Sequence, residues 1–200
     1  MIKKTFYNLP KAKQDRIINA IKNEFNRASI DKLSINNIIK DANISRGSFY
    51  QYFDDKSDLY DIIADQMMDS VRAVFSKFLT ENKGDLFQTF DAVVNLFLYG
   101  NYPDFLYDHR DNLPLNSHNA KTIVDKINTR MLKFADTLVS NIDPSNLKVK
   151  DLDDLQSLLI LISSAAKEVT FDHRVRKLSK EQCLENYRRK IDIIKNGAVI

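Results

Sequence analysis

The chain has 200 residues, 44% of them hydrophobic and 28% charged, which is ample for a packed core and excludes a disordered segment as the default. Four glycines, four prolines and one cysteine, Cys183, exclude a turn-rich or disulfide-stapled fold and fit a reducing compartment. The net charge of +3 conceals a basic N-terminal part: residues 1–59 carry 11 Lys and Arg against 7 Asp and Glu, the remainder 19 against 20, a distribution suited to a polyanionic partner. The opening Met1-Ile2-Lys3-Lys4 soon turns polar and no apolar run is long enough to span a bilayer, so a cytoplasmic protein without a membrane partner is expected.

Apolar residues recur at three- and four-residue spacing along the chain, which predicts an all-α fold of about nine helices. The first covers Lys11 to Ala28, with Ile17, Ile21, Phe25 and Ala28 inward, Lys13, Arg16 and Lys22 outward, and Pro10 suited to its first turn. Ser34 can cap a second helix whose inward face is Ile35, Ile38, Ile39 and Ala42. Asn43 follows it and tolerates the left-handed backbone of a sharp helix end, after which Ser45 can cap a third. Asp54-Asp55 closes the third helix and opens a fourth, from about Lys56 to Leu79, with a buried stripe of Ile63, Met67, Val71, Phe75 and Phe78. Further helices are expected near residues 86–99, 103–109, 117–141, 151–172 and 180–196, punctuated by Gly100-Asn101, Pro114, Asp143-Pro144, the capping-box pattern Ser179-x-x-Gln182 and Asn196-Gly197. There is no internal repeat and no low-complexity linker, so two domains, 1–55 and 56–200, are expected to share the fourth helix.

Two short helices joined by a tight turn inside a basic three-helix unit describe a helix-turn-helix, whose second member enters the major groove of DNA. At roughly 100° per residue, Phe49 and Phe53 share the inward face of the third helix, which puts Gln51 outward with Gly47 and Ser48 nearby and Tyr50 and Tyr52 on opposite flanks. Gly47 lets the helix approach DNA closely; Ser48 and Gln51 can reach base edges or phosphates, and the tyrosines the phosphate walls. Arg46 can turn toward a guanine edge or a phosphate, and Lys56 adds charge at a helix start.

The run Ser34-Ile35-Asn36-Asn37-Ile38, then Asp41-Ala42-Asn43-Ile44-Ser45-Arg46-Gly47-Ser48-Phe49-Tyr50-Gln51-Tyr52-Phe53, then Lys56 and Leu59, resembles the signature of the TetR family. Ile39 stands where that family usually has Ala, Asn43 where it has Gly, and Ser34 where it has Thr; the last two keep the same backbone and capping chemistry. The resemblance implies that Ser34, Asn36 and Asn37 meet DNA from the second helix, that Ser45 to Tyr52 carry groove recognition, and that Tyr52 and Lys56 hold phosphates. It also implies a homodimer on palindromic double-stranded operator DNA, with a C-terminal helical domain that binds a small-molecule effector and releases the operator. Repression is the expected mode.

The last two helices carry apolar stripes at Leu155, Leu158, Leu159, Ile162, Ala166 and Val169, and at Leu184, Tyr187, Ile191 and Ile194. Intrachain core and a dimer interface are both consistent with such stripes, and the family's four-helix dimer bundle places Leu155, Leu158, Leu159, Ile162, Leu184, Tyr187, Ile191 and Ile194 at the interface. An aromatic stretch includes Phe87 and Phe90, and Phe97, Tyr99, Tyr102, Phe105, Tyr107 and Phe134 are candidates to line an effector cavity; a closed core is the competing reading. Asp104, Asp108, His109, Asp111 and His118 have no recognised metal-site spacing, and no metal or cofactor is expected. A small helical enzyme is the rival class, but the chain has no phosphate loop, nucleophile elbow or paired histidines; an architectural DNA binder without a sensor is the other alternative.

Overall fold

In the computed structural model the described residues, 2–100 and 117–198, form nine α-helices and two short 3₁₀ turns, with no strand among them. They are α1 (Lys4–Tyr7), α2 (Lys11–Arg27), α3 (Ile35–Ala42), α4 (Arg46–Tyr52), α5 (Asp58–Glu81), α6 (Leu86–Tyr99), α7 (His118–Leu138), α8 (Leu152–Arg174) and α9 (Lys180–Ala198). The all-α class agrees with the periodicity. The membership of the nine differs: α1 is additional, and the helix expected near 103–109 lies outside the described residues.

By their contacts the described residues fall into two compact units, 2–70 with 117–131 and 71–100 with 132–198, so α5 and α7 contribute residues to both. In the first unit, Ile17, Ile21, Phe25, Ile38, Phe49, Phe53, Leu59 and Ile63 are fully buried in one core, joined by Ile123 of α7. Burying a side chain of this size contributes about 1.5–3 kcal/mol relative to leaving it in water, which is what holds such short helices in place.

Local chemistry sets the ends. Ser34 Oγ accepts the Asn37 amide at 3.4 Å, and Ser45 Oγ accepts the Ser48 amide at 3.0 Å. Between them Asn43 takes a left-handed conformation (φ 49°, ψ 55°), and the amides of Asn43 and Ile44 close the end of α3 on the Lys40 and Ile39 carbonyls at 3.2 and 3.1 Å. Ala28 has already left α2 in an extended conformation and is half-buried; Ala20 takes the inward position instead. Helix α5 starts later than expected because Asp55 Oδ1 accepts from the Ser57 amide at 2.6 Å and closes a turn ahead of it.

In the second unit α6, α8 and α9 pack together, and Val94 and Leu98 of α6 are buried. The capping box forms as expected: the Ser179 amide donates to Gln182 Oε1 at 2.9 Å and the Gln182 amide to Ser179 Oγ at 3.2 Å. Helix α9 continues through Asn196-Gly197 to Ala198. No helix among the described residues is long and apolar enough to cross a membrane.

Candidate nucleic-acid interface

The outer face of α4 is built on a rigid inner one. Phe49 and Phe53 are 0% exposed, and their rings lie 5.0 Å apart. Opposite them Arg46, Gly47, Tyr50 and Gln51 are exposed, and Ser48 is half-buried, its hydroxyl 2.9 Å from that of Ser45. A Cβ added at Gly47 would meet only Ser45 Oγ, at 3.8 Å, so nothing within the chain requires a glycine there. Arg46 Nη1 donates to Asn36 Oδ1 at 3.1 Å and its guanidinium lies 5.9 Å from the Tyr50 ring centroid. Asn36, Arg46 and Tyr50 thus form one exposed polar run across the turn between α3 and α4.

Asn37 is exposed but anchored: its Nδ2 donates to Glu24 Oε2 at 3.0 Å, while Glu24 Oε1 accepts the Ser34 amide at 2.8 Å. Glu24 is 2% exposed and also accepts from Arg27 Nη2 at 3.2 Å; the same Arg27 nitrogen lies 2.6 Å from Asp41 Oδ2. A buried charge is costly unless it is paired and hydrogen-bonded, and Glu24 has both kinds of partner. Sequence reasoning missed Glu24. The available signal was a carboxylate on the inward face of α2, between Ile21 and Phe25, followed at helical spacing by a cation. A polar hollow of about 320 Å³ opens beside this cluster, lined in part by Glu24, Arg27, Lys32, Ser34 and Asn37.

Two expected contacts sit in more restricted places than their sequence positions suggest. Tyr52 is 5% exposed rather than on an open flank, because Phe6 of α1 covers it edge-on with ring centroids 6.4 Å apart and Lys13 Nζ lies 5.6 Å from its ring centroid. Lys56 is half-buried and its Nζ donates to the Asp31 carbonyl at 2.9 Å. The Asp31 carboxylate in turn accepts from Ser117 Oγ at 2.7 Å and Asn119 Nδ2 at 2.8 Å, and these hydrogen bonds, helped by the Lys56 charge, hold it below the usual carboxylate range.

Most of the residues expected at an interface in the last two helices are buried within one chain. Leu155, Leu158, Leu159, Ile162, Tyr187 and Ile191 are all at most 5% exposed within a single chain, which leaves little of their surface for a partner. The stripe is the intrachain seam of α8, α9 and α6; only Leu184 and Ile194 of the expected set are half-buried. The exposed large apolar side chains of the two helices are others: Leu152 (51%), Ile160 (50%), Leu161 (55%), Phe171 (47%) and Ile193 (69%).

Of the candidate cavity residues, Tyr102, Phe105 and Tyr107 lie outside the described residues. Phe134 is 7% exposed, its ring 6.1 Å from that of Phe75, which itself lies 5.0 Å from that of Phe90. Phe97 is half-buried, and Tyr99 is exposed with Lys180 Nζ 5.7 Å from its ring centroid. Asp104, Asp108, His109 and Asp111 are also outside the described residues, among which no His, Cys, Asp and Glu side chains gather as metal ligands would.

A helix-turn-helix with a polar, glycine-bearing outer face, carried by an all-helical chain, defines a DNA-binding regulatory protein. Residues 17–63 match the family model described as bacterial regulatory proteins, tetR family, and residues 111–198 match that of the tetracyclin repressor-like C-terminal domain. The chain belongs to the TetR family of transcriptional regulators. Solved structures share its fold at low identity. A Mesorhizobium loti protein assigned to the TetR-family transcriptional regulators is 14% identical over 94% of this chain and 98% of its own, with a TM-score of 0.63. One from Pseudomonas aeruginosa PAO1, assigned as a transcriptional regulator, is 13% identical over 96% and 95%, with a TM-score of 0.60. A tetR-family transcriptional regulator from Streptomyces coelicolor is 18% identical over 94% and 84%, at 0.55. No curated protein matches the chain.

Proposed function

We propose that this regulator is a cytoplasmic repressor that binds palindromic operator DNA as a homodimer and leaves it when a small-molecule effector binds, with residues 1–55 holding the DNA and 56–200 serving effector binding and dimerisation. The observation that carries the DNA contact is the outer face of α4: Arg46, Tyr50 and Gln51 are exposed around a glycine whose missing side chain leaves open space. A glycine in a helix costs up to about 1 kcal/mol relative to alanine, so its place here makes physical sense where another surface must come close. In this reading Arg46, Ser48, Tyr50 and Gln51 meet base edges or phosphates in the major groove, with Ser34, Ser45, Asn36 and Asn37 at the flanking backbone. Lys56 and the hydroxyl end of Tyr52 serve phosphates from more restricted positions.

For dimerisation the exposed apolar face of α8 replaces the buried stripe. Ile160 and Phe171 stand three turns apart on nearly the same side of the helix, which supports pairing with a second copy through that side, with Ile193 of α9 contributing. A two-fold dimer presents two recognition helices to a two-fold site. Release then follows from population shift: an effector that binds better when the two recognition helices are wrongly spaced lowers operator affinity by its differential affinity for the two states.

Fluorescence anisotropy on the DNA flanking the protein's own coding region, repeated with a panel of candidate effectors, tests the proposal. Binding at two protomers per duplex that some effector reverses is the expected result. Binding that no effector alters would leave a DNA-binding protein without the sensor, and no binding to this or any selected duplex would remove the DNA reading.

A further inference from the structure

The last four carbonyls of a helix have no partner further along it, and a helix of seven residues has few internal bonds to spare. In α4 these are the carbonyls of Phe49, Tyr50, Gln51 and Tyr52. The Phe53 amide takes that of Phe49 at 2.9 Å. Residues far upstream take the other three. Lys3 Nζ donates to the Tyr50 carbonyl at 2.7 Å, Thr5 Oγ1 donates to the Gln51 carbonyl, and the Lys3 amide donates to the Tyr52 carbonyl at 2.9 Å.

Charge and packing act in the same direction. Lys3 Nζ also lies 2.8 Å from Asp54 Oδ1, so the ammonium stands at the negative end of the α4 dipole, where a cation is favourable. Its hydrogen bond and charge hold the Asp54 carboxylate below its ordinary range. Phe6, 2% exposed, inserts its ring 5.3 Å from that of Phe53 and pins the segment to the core under α4. The match to the DNA-binding family model begins at Ile17, so it assigns nothing to residues 2–7.

We propose that residues 2–7 are a positioning element of DNA recognition: Lys3 and Thr5 form the C-terminal cap of α4 and hold Tyr50 and Gln51 in register, without themselves touching DNA. This rests on the reading that α4 enters the major groove. Two of the three donors of the Lys3 ammonium are taken by a carbonyl and a carboxylate, and the Asp54 charge beside it opposes a phosphate, which favours capping over a phosphate contact. A cap of this kind acts by preorganisation, since loss of its bonds leaves every contacting side chain in place but lets the last turn of the helix fray.

The test uses the full chain with Lys3→Ala, Thr5→Ala and the conservative Thr5→Ser, each checked for helicity by circular dichroism. Two quantities are measured: amide hydrogen exchange of residues 49–53 in the free protein, and affinity over a salt series for a labelled duplex that the wild-type protein selects from a random-sequence library. Thr5→Ala and Lys3→Ala are each expected to lose protection in that stretch and to weaken binding by about three- to tenfold, the range one net hydrogen bond spans. The salt slope should stay unchanged, and Thr5→Ser should restore both readouts. A salt slope reduced by about one in Lys3→Ala, with exchange unaltered, would make Lys3 a phosphate contact and overturn the inference. If the wild type selects no duplex, the groove reading falls and the inference with it; if it selects one that Thr5→Ala binds equally well, the inference alone falls.

Discussion

Replacing Gly47 with alanine separates what the fold needs from what a partner needs. Gly47 is the second residue of α4 and its backbone is not in the left-handed region. The added methyl would stand 3.8 Å from Ser45 Oγ, an ordinary contact, with no other neighbour in range. The folded chain therefore tolerates it, and the lower entropy of the unfolded chain favours the variant by about 0.5 kcal/mol, the low end of the usual range because the first helical turn frays. For a chain of this length that raises Tm by about 1–2 °C. On DNA the same methyl occupies space that the proposed docking assigns to the groove. Holding the helix off by even a fraction of its diameter weakens the short contacts of Ser48 and Gln51 together, and losing one good base contact costs about 1–3 kcal/mol, or roughly five- to 150-fold in Kd. Thermal melts and anisotropy titrations on the same preparation read both effects. A stabilised variant that binds as tightly as wild type would refute the placement of Gly47 against DNA; a destabilised one would refute the claim that the fold leaves its side-chain space empty.

Three further outcomes are expected. Glu24→Gln removes the charge that gathers the Ser34 amide, Asn37 and Arg27, and should destabilise the chain by about 2–3 kcal/mol in urea melts at fixed protein concentration, with helix content retained below the transition; a loss under half a kcal/mol would mean that the amide replaces the carboxylate without penalty. Asp61 receives Lys126 Nζ at 2.9 Å and Arg130 Nη2 at 3.0 Å between α5 and α7; burial pushes its carboxyl up, but these two partners outweigh it and hold the group below its ordinary value of 3.8. A carboxylate lowered in the folded state contributes stability that is intact above the ordinary value and is lost as pH falls through the folded one, so Asp61→Asn should cost about 1 kcal/mol near neutrality, and its gap to wild type should close below pH about 4; a gap that widens in acid would reverse the assignment. Phe171→Asp, on the exposed side of α8, should turn a dimer into a monomer in sedimentation and lower operator affinity while melting like a folded protein, whereas an unchanged sedimentation coefficient would place the interface elsewhere.

What was legible in the sequence was local. Ser34, Asn43 and Ser45 each act on backbone within three residues, so their capping and left-handed roles could be read from residue type and spacing alone. Phe49 and Phe53 could be placed by angle because α4 is regular. What was not legible depended on distant chain. Four residues make no periodic pattern, so α1 left no trace, and the burial of Tyr52 under Phe6 was hidden with it. The stripes of α8 and α9 were visible, but amphipathic spacing says only that a face is buried, not whether the covering surface belongs to the same chain. Tyr187, 1% exposed inside one chain, shows which surface covers that stripe, and the exposed Ile160 and Phe171 are ordinary-looking residues on the side a helical wheel would call polar.

The bond between Arg46 and Asn36 bears on how α4 would read a sequence. Arg46 Nη1 is 3.1 Å from Asn36 Oδ1, and the guanidinium also lies beside the Tyr50 ring, so the side chain is oriented before any DNA arrives. A guanidinium carries five donors and this bond uses one, which leaves enough of the fork to hold a phosphate or a guanine edge without releasing Asn36. Asn36 therefore acts on the proposed docking in two ways, as a contact from α3 and as the hinge post of Arg46. Lysine at 46 would keep the charge but not the fixed fork, so a bidentate role in base recognition and a simple charge role at the backbone separate at this position: the first requires both the guanidinium and Asn36, the second requires neither.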